Sequence, residues 1–252
     1  MIDKKALIVP YSNSPIFLAI LEIRFNNSNL KDIEDLSKCK NEVVKLFPNS
    51  NKHIINELKL DNLGEGEPKI SLHNRKVDCF LYSSSDKLSE FTISLDRLNY
   101  RQSGPYTNFE DFTDTIKKVW LIHHDLLKDI TITGVSIRCF NKIEIHEVID
   151  DLTDFFNISI QVTEGIINDI VTSFSIRYIS KNIKERKHSI VSLSLEPSTE
   201  NIYPFILDID VHDESSIPND PELIWDKFES LRNTKDNLFN NILTDKTKSL
   251  FK

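Results

Sequence analysis

A chain of 252 residues, 39% hydrophobic and 28% charged, is long enough for one substantial domain and apolar enough for a folded core. Its 39 acidic against 31 basic residues give a formal charge of −8, which opposes nucleic-acid binding unless the cations gather on one face. Only 5 glycines, with no GxGxxG or GxxxxGK[ST] pattern, exclude a phosphate-cradling loop.

Taken in chain order, the N-terminal Met1 to Pro10 is too short in apolar residues for a signal peptide, and no run approaches membrane length. Three cysteines, Cys39, Cys79 and Cys139, lack CxxC spacing and sit among apolar neighbours, as expected of reduced thiols in a cytoplasmic protein. Residues 15–25 read as a buried strand. From Asn29 as cap, Leu30, Ile33, Leu36, Val43, Val44 and Phe47 recur at helical spacing until Pro48. A polar stretch with Gly64, Gly66 and Pro68 precedes short strands near 69–73, 77–83 and 91–98. Thr107 or Asn108 then caps a long helix bearing Phe109, Phe112, Ile116, Val119, Trp120 and the pair His123-His124. Adjacent helical histidines point about 100° apart and cannot chelate one ion, so a helix-surface or interface position is expected.

The second half reads as a strand over 130–143, a helix over 145–156, strands over 170–179, 189–196 and 203–211, a long helix from Pro221 and a short one over 244–251. The two halves also match at a fixed offset: Phe91 to Asp96 onto Phe205 to Asp210, Ile23-Arg24 onto Ile137-Arg138, and Val77, Cys79 and Leu81 onto Val191, Leu193 and Leu195, all 114 apart. One register for three strand-like segments predicts an α+β fold built from an internally duplicated β-α-β3-α unit. The repeats span 1–128 and 129–252 within one integrated domain. A continuous antiparallel sheet with helices on one face is expected, a saddle by analogy with TATA-binding-protein-like folds.

Alternation places Asp208, Asp210 and His212 on one face of their strand, about 7 Å between successive members, with Leu207, Ile209 and Val211 on the other. Two carboxylates and an imidazole invite a divalent metal, but a solvated sheet face is the preferred reading because a metal site needs further ligands, and no metal or other cofactor is expected. Arg24 and Arg138 stand in apolar strands, where each guanidinium needs a carboxylate or a bound anion. The basic run Lys181 to His188 fits a hairpin tip, and the stripe Trp225, Phe228, Leu231 and Phe239 fits a core-facing or partner-docking helix.

Four segments, Ser14 to Phe25, Val135 to Ile143, Leu207 to Val211 and Asp236 to Asp245, together resemble a sporadically distributed prokaryotic family of about this length. That family is recognised by a Glu-Ile-Arg-Phe strand, here Glu22 to Phe25, and a C-terminal Leu-Thr-Asp signature, here Leu243 to Asp245. Ser136 and Cys139 stand where the family's second strand has glycine and tyrosine. The resemblance brings no activity with it, and the patchy distribution implies a mobile antiviral-defence or toxin–antitoxin component. The expectation is a non-catalytic subunit that binds a protein encoded nearby, with a basic toxin or nuclease as the fitting type, or a second copy of itself. Arg24, Arg138, Asn141, Asp208, Asp210, His212, Thr244 and Asp245 are the expected binding residues. For Thr244 and Asp245, helix capping is the default. The alternatives are a metal-dependent phosphodiester or nucleotide enzyme using Asp208, Asp210 and His212, and a nucleic-acid saddle.

Overall fold

A computed structural model describes residues 11, 13–26, 30, 32–61, 69–124, 126–127, 129–159, 171–197 and 202–252, with 56–61 and 69–75 described as backbone. Met1 to Pro10, Asn29, Gly64, Gly66, Pro68 and Ile170 lie outside the described residues.

The centre of the fold is an antiparallel pair formed by β1 (Ile16–Asn26) and β6 (Thr131–Ile145). Around it lie β2 (Asn49–Asp61), β3 (Lys69–Ser83), β4 (Ser89–Ile93), β5 (Arg97–Ser103), β7 (Phe174–Asn182), β8 (Lys187–Leu195) and β9 (Tyr203–Asp213). Their order is β2-β3-β4-β5-β1-β6-β9-β8-β7, all antiparallel, with the two-residue β10 (Ile217–Pro218) added to β6. Each strand sends alternate residues inward: Ala19, Leu21, Ile23 and Phe25 of β1, and Leu207, Ile209 and Val211 of β9, are buried.

The helices cover that buried face. In α2 (Phe109–His124), Trp120 meets Phe25 and Phe112 meets Tyr100. Asn108 caps it by accepting from the Asp111 N–H at 2.7 Å, while Thr107 donates to the Asp111 carboxylate. In α3 (Pro221–Ile242), Asp220 is the cap, Pro221 opens the helix, and Ile224, Phe228, Leu231 and Phe239 are buried. The short α1 (Lys40–Val43) and α4 (Asp245–Lys248) complete the helical layer.

Several sequence expectations change. The first helix begins at Ile33 with Asp32 as its cap, and most of it is a 3-10 turn before α1. Residues 69–83 form one strand, and its partner β2 lies in a stretch read as polar loop. The segment 91–98 breaks at Ser94 to Asp96 into a β4–β5 hairpin. The helix expected over 145–156 is absent: β6 runs to Ile145 and only Leu152–Asp154 makes a 3-10 turn. There Phe155 and Phe156 are both buried, and Phe156 bridges to Leu243, so the segment docks through its backbone and two rings instead of a helical stripe.

The constant offset of 114 does not run through the sheet. Leu98 of β5 faces Ile23 and Val211 of β9 faces Ile137, equivalent places 113 apart. Asp96 lies in a turn while Asp210 is mid-strand, and β3 is third out from β1 while β8 is second out from β6. Ile23 and Ile137 do share the buried face, and Arg24 and Arg138 the opposite one.

His123 is buried against Phe91, with its Nδ1 2.9 Å from the Val119 carbonyl, so it is a core residue and not a surface one. Burial pushes its pKa down. An unfolded imidazole takes a proton near pH 6.5 while the folded one resists, so stability is lost as pH falls below about 6.5. His188, also depressed by burial, adds to the same window. In urea unfolding across pH 5–7.5, His123→Leu is expected to show a shallower loss of stability on acidification than the parent. An identical slope would refute the assignment.

Candidate functional site

The sheet face opposite the helices is covered by no other element among the described residues. Its centre is built from β1, β6 and β9, where Arg138 lies across from Asp210 but reaches diagonally to Asp208. The contact is bidentate, Nε to Oδ1 at 2.9 Å and Nη2 to Oδ2 at 2.7 Å, the geometry in which a guanidinium matches a carboxylate best. That hydrogen bond raises the Arg138 pKa. The guanidinium also lies over the Phe140 ring, 4.5 Å from its centroid, and Phe140 in turn meets Phe17 of β1 at 6.1 Å. Phe17 is 41% exposed.

Asp210 turns to His212, with Nε2 2.8 Å from Oδ1. His212 stacks on His188 of β8, its direct cross-strand partner, at 4.2 Å and 8°. On the other side of β6, Arg24 Nε is 3.3 Å from Glu22, while its Nε and Nη2 are shielded from solvent and make no hydrogen bond. The Arg24 guanidinium sits against Gly134, its cross-strand partner: a Cβ there would fall 2.9 Å from Arg24 Nη2 and 3.0 Å from the Asp213 carbonyl oxygen.

Each strand arginine thus has a carboxylate neighbour, hydrogen-bonded to Arg138 but not to Arg24. The strand carboxylates are already engaged: a guanidinium closes both Asp208 oxygens, and an imidazole meets Asp210, so neither offers a metal an open pair of ligands. Over β1 and β4–β9 the face carries Arg24, Arg97, Arg101, Arg138, Lys142, Arg177 and Lys181 against Glu22, Glu90, Glu144, Asp208 and Asp210. The acidic excess of the chain thus lies elsewhere. Arg101 with Glu90 at 2.8 Å and Lys142 with Glu144 at 2.7 Å continue the pairing.

The other expected residues sit apart. Asn141 is on the helix side, donating to the Leu207 carbonyl at 2.9 Å. It lines a cavity of about 150 Å³ with Tyr106, Lys235, Asp236 and Phe239. Thr244 caps α4 and donates to the Asp154 carbonyl at 2.7 Å, tying the C-terminus to the segment before it. Asp245 is exposed, 3.5 Å from Lys248. The eight residues thus fall into three places, with Arg24, Arg138, Asp208, Asp210 and His212 together. Sequence reading missed Phe17, Phe140, Glu22 and His188; alternation from Arg138 would have put Phe140 on the same face, whereas His188 joins His212 only through the β8–β9 register.

Comparison with protein-family models, curated proteins and solved structures returned no match.

Gly134→Ala is expected to destabilise the fold by about 1–3 kcal/mol, the usual cost of overpacking. Adding Arg24→Ala should recover part of that loss in a double-mutant cycle read by urea unfolding. Additive effects would show that the glycine does not serve to admit the arginine.

Proposed function

We propose that the protein is a non-catalytic binding subunit that engages a protein partner through the open sheet face, in an antiviral-defence or toxin-neutralising system. One observation carries this reading: Arg138 is fixed by Asp208 and laid on Phe140, beside the exposed Phe17, on a sheet face with nothing packed over it among the described residues. Arginine and aromatic side chains dominate the energetic centres of protein interfaces. A guanidinium already held in place loses little further freedom on binding. Charge pairs around this centre set register and reject wrong partners, while the acidic remainder of the chain draws a basic partner from a distance. The same reading takes the near-palindromic strand order as the product of an internal duplication and the open face as the concave side of a saddle.

Capture of tagged full-length protein from its native host should yield one stoichiometric protein partner. Phe17→Ala and Arg138→Ala should each weaken that complex by about thirtyfold, the effect of an interface hot spot. Leu121→Ala, exposed on α2, should leave it intact. Recovery of the protein alone, or a complex indifferent to both face variants, overturns the reading.

A further inference from the structure

At the end of the sheet away from the β1–β6 centre, the β2–β3 ribbon carries a group of side chains that the open-face reading does not use. His53 and Cys79 are directly opposite across the antiparallel pair, so both side chains leave the same face. Asp78, next to Cys79, would ordinarily point to the other face. The register slips there: His53 pairs with Cys79 but Ile54 with Val77, which leaves Asp78 as the extra residue of a β-bulge. A bulge re-aims a side chain, and one ligand atom from each of His53, Asp78 and Cys79 lies within 4.8 Å of the others. His53 Nδ1 is 3.6 Å from Asp78 Oδ2.

We propose that His53, Asp78 and Cys79 form a zinc site with a fourth position open to water or to a ligand from outside the chain. The donor set is one imidazole nitrogen, one carboxylate oxygen and one sulfur, the three ligand types Zn²⁺ takes in proteins. Metal–ligand bonds of about 2.0–2.3 Å put tetrahedral ligands roughly 3.3–3.8 Å apart. The His53–Asp78 separation already meets that, and a contraction of about an ångström brings in the sulfur. Thiolate and carboxylate together match the charge of a divalent ion, and the imidazole adds none. The Cys79 S–H bond breaks as the sulfur–zinc bond forms, and its proton passes to solvent. Asp78 also lines a groove of about 580 Å³ with Asp32, Glu34, Asp96 and Lys76, in which Lys52 pairs with Glu34 and Arg97 with Asp96.

The test uses Co²⁺ as a spectroscopic stand-in for Zn²⁺ on the purified full-length protein. One equivalent of Co²⁺ should give a thiolate-to-cobalt charge-transfer band and tetrahedral d–d absorption, both displaced by Zn²⁺. Cys79→Ser should abolish the charge-transfer band, and His53→Ala and Asp78→Asn should each weaken Zn²⁺ binding by more than about tenfold. Cys39→Ser should keep the band, since the Cys39 thiol faces the Ile122 carbonyl instead. His53 and Asp78 are exposed, so their variants should fold, as circular dichroism would verify. Absence of the band at one equivalent, or its persistence in Cys79→Ser, or unchanged Zn²⁺ affinity in His53→Ala, overturns the proposal.

Discussion

The pairing of β1 with β6 is the contact on which the rest depends. Every other strand joins the sheet through one of these two, β5 inward from one side and β9 from the other. A slip of one residue of β1 against β6 would send Ile23 to solvent and Arg24 into the core while Ile137 and Arg138 kept their faces, because strand side chains alternate. The apolar cluster of Ala19, Leu21, Ile23 and Phe25 facing α2 and α3 therefore fixes the register that also assembles the charged face. Core and candidate site are two readings of one alignment.

The two faces meet different physical demands. The helix side buries rings, and its buried carboxylate is satisfied locally: Asp213 has Lys227 at 2.9 Å and the Ser215 N–H at 2.9 Å, whereas Trp120 Nε1 and His123 Nε2 are buried without a hydrogen-bond partner. On the open side the charges are only half-sheltered, so each pair gains less from Coulomb attraction than it would in the interior. The Arg138–Asp208 pair differs because both partners are held at two points and the guanidinium also rests on a ring. Geometry of that kind fixes where the guanidinium lies on the sheet face.

Much of this was legible in the sequence where periodicity and burial coincide. β1, β6, β8, β9, α2 and α3 each carry an apolar pattern long enough to define their type, and Asp208, Asp210 and His212 were placed on one face by alternation alone. β2 was invisible because Asn49, Ser50, Asn51 and Lys52 pair through their backbone and need no apolar side chains to do so. The helix expected over 145–156 had apolar residues at the right spacing, yet Val148 faces solvent and β6 extends to Ile145. The offset of 114 keeps Ile23-Arg24 and Ile137-Arg138 on matching faces but sets β4 against β9, since strands with alternating residues resemble one another whatever their place in the sheet. The diagonal reach of Arg138 and the bulge at Asp78 depend on register, which no single strand's sequence encodes.

The strand order also has ends. Unlike a barrel, this sheet finishes, among the described residues, in β2 on one side and β7 on the other, each with a row of backbone donors and acceptors turned outward. β7 exposes Ile179, and the hairpin after it exposes Ile183, the apolar surface that another extended chain would seek. Arg177 and Lys181 flank Ile179 on the same strand, both exposed. Two cations at that border make strand-by-strand growth into a fibre between like edges electrostatically costly, a local guard beside the general repulsion of the chain's acidic total.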